Sequence, residues 1–182
     1  DIQSIHRVRE QLVKRKTAIV NEARGLLLEY GITIPQGIKM FKNNITLILG
    51  DGDNELSSEI RNLLQILFSD FLQVEERVEE LGRKLERIHN SNETCQRISK
   101  IDGVGVITST AIVAAVGDVN IFRNGREFAA WLGLTPRQRS TGGRQILLGI
   151  SKRGDCYLRK NLVHGARSVI RWCDKKNDKK RD

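Results

Sequence analysis

The sequence predicts a mainly α protein: long antiparallel coiled-coil helices, then a small helical domain with a helix-hairpin-helix-like turn. Three observations lead there. Two prolines interrupt 182 residues, and proline is the residue that helix interiors tolerate least. Nine apolar residues, Ile60, Leu64, Leu67, Phe71, Val74, Val78, Leu81, Leu85 and Ile88, fall 4 and 3 apart without a miss, which is the spacing of a coiled-coil seam. The charge also divides the chain. Residues 1–120 hold 15 basic and 17 acidic residues, a net of −2, whereas residues 121–182 hold 16 and 5, a net of +11. Such asymmetry predicts a polyanion-binding half joined to a neutral scaffold.

Composition excludes several classes. Hydrophobic residues make up 39% and aromatics 5%, so the core must be built from Leu, Ile and Val. No apolar run approaches the roughly 18 residues of a membrane span, and no signal peptide opens the chain. The expectation is a cytoplasmic protein with no membrane contact. Three cysteines, Cys95, Cys156 and Cys173, are odd in number and widely spaced, which argues against a disulfide scaffold. The three histidines lie far apart and far from the cysteines, so no zinc spacing exists. No metal site and no cofactor are expected within this sequence.

The first element is a helix over about residues 2–30. Ile5, Val8, Leu12, Ile19 and Leu26 keep a heptad frame that Arg15 and Glu22 interrupt. Gly31 supplies a stop, and Pro35-Gln36-Gly37 reads as a turn. Residues 38–54 are ambiguous: a short helix near Ile38–Phe41, then an apolar stretch at Ile45–Leu49. The acidic run Gly50–Asn54 lacks the spacing of a calcium loop, and Asp53 or Asn54 is expected to cap the next helix. That helix covers 56–89. Its seam spans roughly 42 Å at 1.5 Å per residue, too long for a small core, so it needs a long partner. Residues 2–30 folded back, together with a second subunit, would supply one. Residues 1–94 are thus read as a linker and coiled-coil dimerisation region, ended by Asn90-Ser91-Asn92.

Residues 95–174 form the second predicted domain, and 175–182 a basic tail. An apolar helix, the turn Asp102-Gly103-Val104-Gly105 and a second apolar helix over Thr108–Val116 give the helix-hairpin-helix layout. In that motif turn amides and a helix N-terminus meet a phosphate, which makes Gly103 and Gly105 candidate nucleic-acid contacts. A short amphipathic helix follows over Phe122–Leu134. Thr135–Arg144 reads as a loop dense in Arg, Gly and hydroxyls, and Ile150 to Trp172 as a helix carrying Lys and Arg.

Chemistry concentrates in that loop. Ser140 and Thr141 are flanked by Gly142-Gly143, with Arg137, Arg139, Arg144, Lys152 and Arg153 close in sequence. Guanidinium groups suit the non-bridging oxygens of a phosphodiester, and a hydroxyl among them can serve as a covalent nucleophile. On spacing alone, the same residues read first as a cradle that only binds phosphate. No histidine or carboxylate pair lies near enough in sequence to act as base. Ser151 is expected to cap a helix.

Four segments carry a resemblance: Ile101–Ala111, Phe128–Arg137, Ser140–Arg144, and Gly149–Asp155 with Tyr157-Leu158-Arg159. They resemble the C-terminal module of the DEDD-type (IS-one-ten / IS-eleven-eleven) insertion-sequence transposases, also described as bridge-RNA-guided recombinases. Asp1–Glu10 and Tyr30–Gly37 resemble the same family's linker, so the likeness covers nearly all of the chain. The resemblance implies DNA and a guide RNA as partners and a dimer or tetramer through the coiled coil. It further implies a serine nucleophile, at Ser140 or, failing that, Thr141, with Arg159 among the nucleic-acid-binding residues. It places Mg²⁺ in an N-terminal acidic domain that is missing here, so this fragment alone should be inactive. The alternative function is a non-catalytic nucleic-acid-binding and dimerisation module.

Overall fold

The computed structural model describes residues 1–141 and 143–176. Among them it forms seven helices and one two-stranded sheet, a mainly α fold. The side chains of Ser140 and Thr141, and residues 177–182 of the basic tail, lie outside the described residues. Contacts divide the chain into two compact units, one of Ser4–Arg83 and one of Asp1–Gln3 with Lys84 onward, so the division falls inside a helix.

In the Ser4–Arg83 unit the heptad seam becomes the core. Helices α1 (Ile2–Glu29), α2 (Ile38–Gly50) and the first part of α3 (Ser58–Asn90) surround it. Ile19, Val20, Ala23 and Leu27 of α1 share one buried cluster with Phe41 and Ile45 of α2 and with Leu64, Phe71, Val74 and Val78 of α3. Phe41 meets Phe71 edge-on at 5.4 Å between ring centroids, the geometry that aromatic quadrupoles favour. Each of the nine seam residues is buried or half-buried within the single chain. Glu75 ties the three helices at their rim, accepting from Lys42 Nζ at 2.6 Å and lying 3.7 Å from Lys16 Nζ. This hydrogen bond raises the Lys42 pKa.

Two local expectations are corrected here. Residues 38–50 form one continuous helix rather than a short helix followed by an apolar stretch. The reason is that Phe41 and Ile45, one turn apart on a helix, both enter the core. The cap of α3 is Ser57, whose Oγ accepts from Ile60 N at 3.3 Å. Asn54 has other partners: its amide donates to Ile48 O, and its Oδ1 accepts from Arg61.

The Lys84-onward unit has its own small core. The end of α3 is followed by α4 (Glu93–Ile98), capped by Asn92, and by α5 (Val106–Val116). Next come a 3-10 turn at Val119–Ile121 and α6 (Gly125–Trp131), where Asn124 accepts from the amides of Arg126 and Glu127. Strands β1 (Pro136–Thr141) and β2 (Arg144–Ile150) then precede α7 (Cys156–Lys176). Ala111, Leu132 and Leu158 are the buried centre, surrounded by Ile112, Phe128, Leu134, Tyr157 and Leu162. A polar tie completes it: His89 Nδ1 lies 3.0 Å from Ser109 Oγ, both buried, and Ser109 Oγ also donates to Val106 O.

Candidate nucleic-acid interface

The stretch read as a loop is a β-hairpin. Antiparallel pairing runs Gln138↔Leu147, Arg139↔Ile146, Ser140↔Gln145 and Thr141↔Arg144, which leaves two residues between the strands. In sequence those two are glycines, the pair that two-residue hairpin turns favour. The polar first strand hid the element, since β1 lacks apolar alternation and only β2, with Ile146-Leu147-Leu148, reads as a strand. Gly-Gly ahead of that apolar run was the signal that could have found it. A register shift beyond Gln138, with Pro136 opposite Ile150, inserts an extra residue on β2, and such bulges bend a strand locally.

Strand alternation sorts the candidate residues. Arg137, Arg139 and Thr141 occupy one alternate set of β1 positions, and Thr141 pairs with Arg144. Ser140 falls in the other set, with Gln138, and pairs with Gln145. Arg137, Arg139 and Arg144 are exposed, so the hairpin presents cations to solvent.

Lys152 and Arg153 stand just beyond β2, both exposed. The segment carrying them is not helical, contrary to expectation, because it closes back on the end of α6. Ser151 N donates to Thr135 O at 2.8 Å, and Lys152 N to Gly133 O at 3.1 Å. Ser151 is therefore no helix cap. Asp155 caps α7, its Oδ1 accepting from Tyr157 N and Leu158 N at 2.8 and 3.0 Å. Lys152 itself has φ 56°, a left-handed conformation that costs a non-glycine residue about 1 kcal/mol or more.

Arg159 sits on the first turns of α7 and is used internally. Its Nη1 donates to the carbonyls of Leu132 and Arg153, both at 3.0 Å, and Nη2 lies 3.1 Å from Cys156 Sγ. It fastens the loop that holds Lys152 and Arg153.

The turn at residues 99–105 joins α4 to α5 in the order the sequence suggested. Gly103 has φ 84°, and a Cβ there would meet the Gly165 backbone of α7 at 2.8 Å. Its glycine identity thus follows from a backbone-to-backbone approach. Gly105 is the residue before α5, and its carbonyl accepts from Ser109 N at 2.9 Å. The structure brings the hairpin, Lys152, Arg153 and Arg159 into consecutive elements, and sets the turn against α7 six residues past Arg159. Among the described residues no group of three His, Cys, Asp or Glu side chains is placed to hold a metal ion. Among them, too, no helix is long and apolar enough to cross a membrane.

Comparison with known proteins gives this geometry a context. Residues 95–181 match the family model described as "Transposase IS116/IS110/IS902 family". The chain is 41% identical over 180 residues to the transposase for insertion sequence element IS1111A of Coxiella burnetii, covering 99% of this chain and 50% of that protein. It is 39% identical over 166 residues to the transposase for insertion sequence element IS1328 of Yersinia enterocolitica, covering 91% and 49%. The chain spans about half the length of these curated relatives. With a family model on the domain that bears the basic hairpin and this identity running through both units, the chain belongs to the IS116/IS110/IS902 family of transposases.

Proposed function

We propose that this chain is the C-terminal part of a DNA transposase or recombinase, the part that grips DNA and supplies the hydroxyl that attacks it. One observation carries the reading. In a chain this similar to a transposase, the exposed cations Arg137, Arg139, Arg144, Lys152 and Arg153 flank Ser140 and Thr141 on and beside one hairpin. In the proposed step the hydroxyl oxygen attacks a strand phosphorus, a new oxygen–phosphorus bond forms and one bridging P–O bond breaks. The hydroxyl proton leaves, and the departing DNA oxygen takes up a proton. The ester keeps the phosphodiester available for rejoining. The arginines hold the non-bridging oxygens as charge builds there.

Ser140 is the proposed nucleophile, with Thr141, in phase with Arg137 and Arg139, as its alternate. Arg159 acts by fixing the Lys152–Arg153 loop, and the amides of Gly103 and Gly105 offer a second phosphate contact. Mg²⁺ belongs, on the family resemblance, to an acidic domain outside these 182 residues, so this segment alone does not exchange strands. A guide RNA is the second nucleic-acid partner. Self-association rests on exposed apolar side chains, Leu47, Leu63 and Ile66, since α1 and α2 cover the seam from Ile60 to Val78.

The test is a denaturing gel for protein–DNA adducts, run on the complete transposase that carries this segment. Ser140→Ala should abolish the adduct and strand exchange while leaving DNA binding within about twofold, since one neutral hydroxyl contributes little to affinity. Loss only in Thr141→Ala moves the nucleophile by one residue. Adducts that persist when Ser140→Ala and Thr141→Ala are combined leave the hairpin as a phosphate cradle.

A further inference from the structure

Helix α7 has an outer face that the hairpin reading does not use. Its inner face is Leu158, Leu162, Gly165 and Val169, buried or half-buried against the domain. On the other side His164, Arg167, Ser168, Arg171 and Trp172 follow one another at i, i+3, i+4, i+7 and i+8, all exposed, the spacing of one helical face. They line an open recess of about 500 Å³. Between Asp155 and Asp174 the helix carries no acidic residue, so these five positions hold two arginines and no carboxylate.

Trp172 is the unusual member. In a chain with two tryptophans, Trp131 packs with Phe122 and Phe128, whereas Trp172 leaves 57% of its surface in water beside two arginines. Exposing an indole forgoes its burial, which makes a binding role the simplest account. Positive charge with an exposed aromatic ring matches nucleic acid, and within that class it matches an unpaired strand. A duplex base has both faces covered by its neighbours, while an unstacked base can lie on an aromatic ring. The turn at Gly103 packs on Gly165 of the inner face, and Gly103 and Gly105 are themselves exposed.

We propose that the His164–Trp172 face of α7 binds a single-stranded nucleic-acid segment, Trp172 stacking on one base while Arg167 and Arg171, about 6 Å apart along the helix axis, hold phosphates on either side of it. This surface shares no residue with the hairpin. The proposal rests on the reading that the chain binds nucleic acid, and is independent of which hydroxyl reacts.

Fluorescence anisotropy of the 182-residue chain tests it, using a labelled oligo(dT) of about 12 nucleotides and a duplex of the same length. Trp172→Ala should weaken oligo(dT) binding about tenfold and duplex binding less than about twofold, with Trp172→Phe restoring most of the loss. The Arg167→Ala, Arg171→Ala double variant should lower the salt slope on oligo(dT) by about 1.4, at about 0.7 per lost contact. The Arg137→Ala, Arg139→Ala variant should do the reverse, losing duplex and retaining oligo(dT). Absence of oligo(dT) binding at low salt overturns the proposal, as does a Trp172→Ala variant that binds it unchanged. If the hairpin variant loses both ligands and the α7 variants lose neither, α7 is excluded and the proposed function stands.

Discussion

Gly133 and Gly154 show how single residues hold the basic segment in place. Gly133 has φ 72° and lies directly against the Arg153 backbone; Gly154 has φ 86° and lies against the Trp131 carbonyl. A methyl group at either position meets main chain, which cannot swing aside as a flexible side chain would. Gly133→Ala and Gly154→Ala should therefore each cost about 3 kcal/mol or more, combining left-handed strain with steric displacement. Urea unfolding checks the figure, and a loss under about 1 kcal/mol would show that the two segments separate freely. Gly154 stood out in the sequence as part of the Gly149–Asp155 motif, but its reason was illegible. The atoms that require it belong to residues more than twenty positions away. The same holds for Arg159, which the sequence offered as a phosphate ligand and the fold employs on two carbonyls.

At the level of elements, regular patterns were readable and mixed ones were not. The seam of α3 was legible because the heptad holds over nine positions, and only a long helix packed along its length keeps an apolar stripe in phase so far. Helix α2 was obscured by Asn43-Asn44 and a glycine at either end, although Phe41 and Ile45 already had helical spacing. Strand β1 was hidden because Arg-Gln-Arg-Ser is polar at both alternate sets, so periodicity carried no information. His6 on α1 gave no sequence signal at all. It is 3% exposed, and burial, with the Arg9 charge as a lesser cause, lowers its pKa to about 4. A depressed histidine is neutral in the fold and charges first in the unfolded chain. Its contribution is present above the unfolded value of about 6.5 and is lost as pH falls from there through about 4, up to roughly 3 kcal/mol. Chemical denaturation at about pH 7 and pH 4.5 should show His6→Gln losing markedly less stability across that window than the parent. Equal losses would place the acid sensitivity in other groups.

For the whole molecule, the charge division is the property that decides behaviour at a distance. The net of −2 over residues 1–120 and +11 over 121–182 concentrates attraction for a polyanion on the part that carries the hairpin and α7. Such a field steers association and raises non-specific affinity without dictating sequence preference. On duplex DNA the five exposed cations Arg137, Arg139, Arg144, Lys152 and Arg153 set an upper limit of about −4.5 for the log–log salt slope, at about −0.9 per phosphate contact. Each alanine replacement among them should shallow the slope by about 0.9 and weaken all duplex sequences alike. Arg159→Ala should behave differently. Because its guanidinium is spent on the carbonyls of Leu132 and Arg153, it should leave the slope nearly unchanged while lowering the melting temperature. Filter binding from about 50 to 300 mM salt, alongside thermal melts, separates the two outcomes. A slope that shallows by about one for Arg159→Ala would return that residue to the DNA, and a slope insensitive to the five cations would move the duplex site off the hairpin.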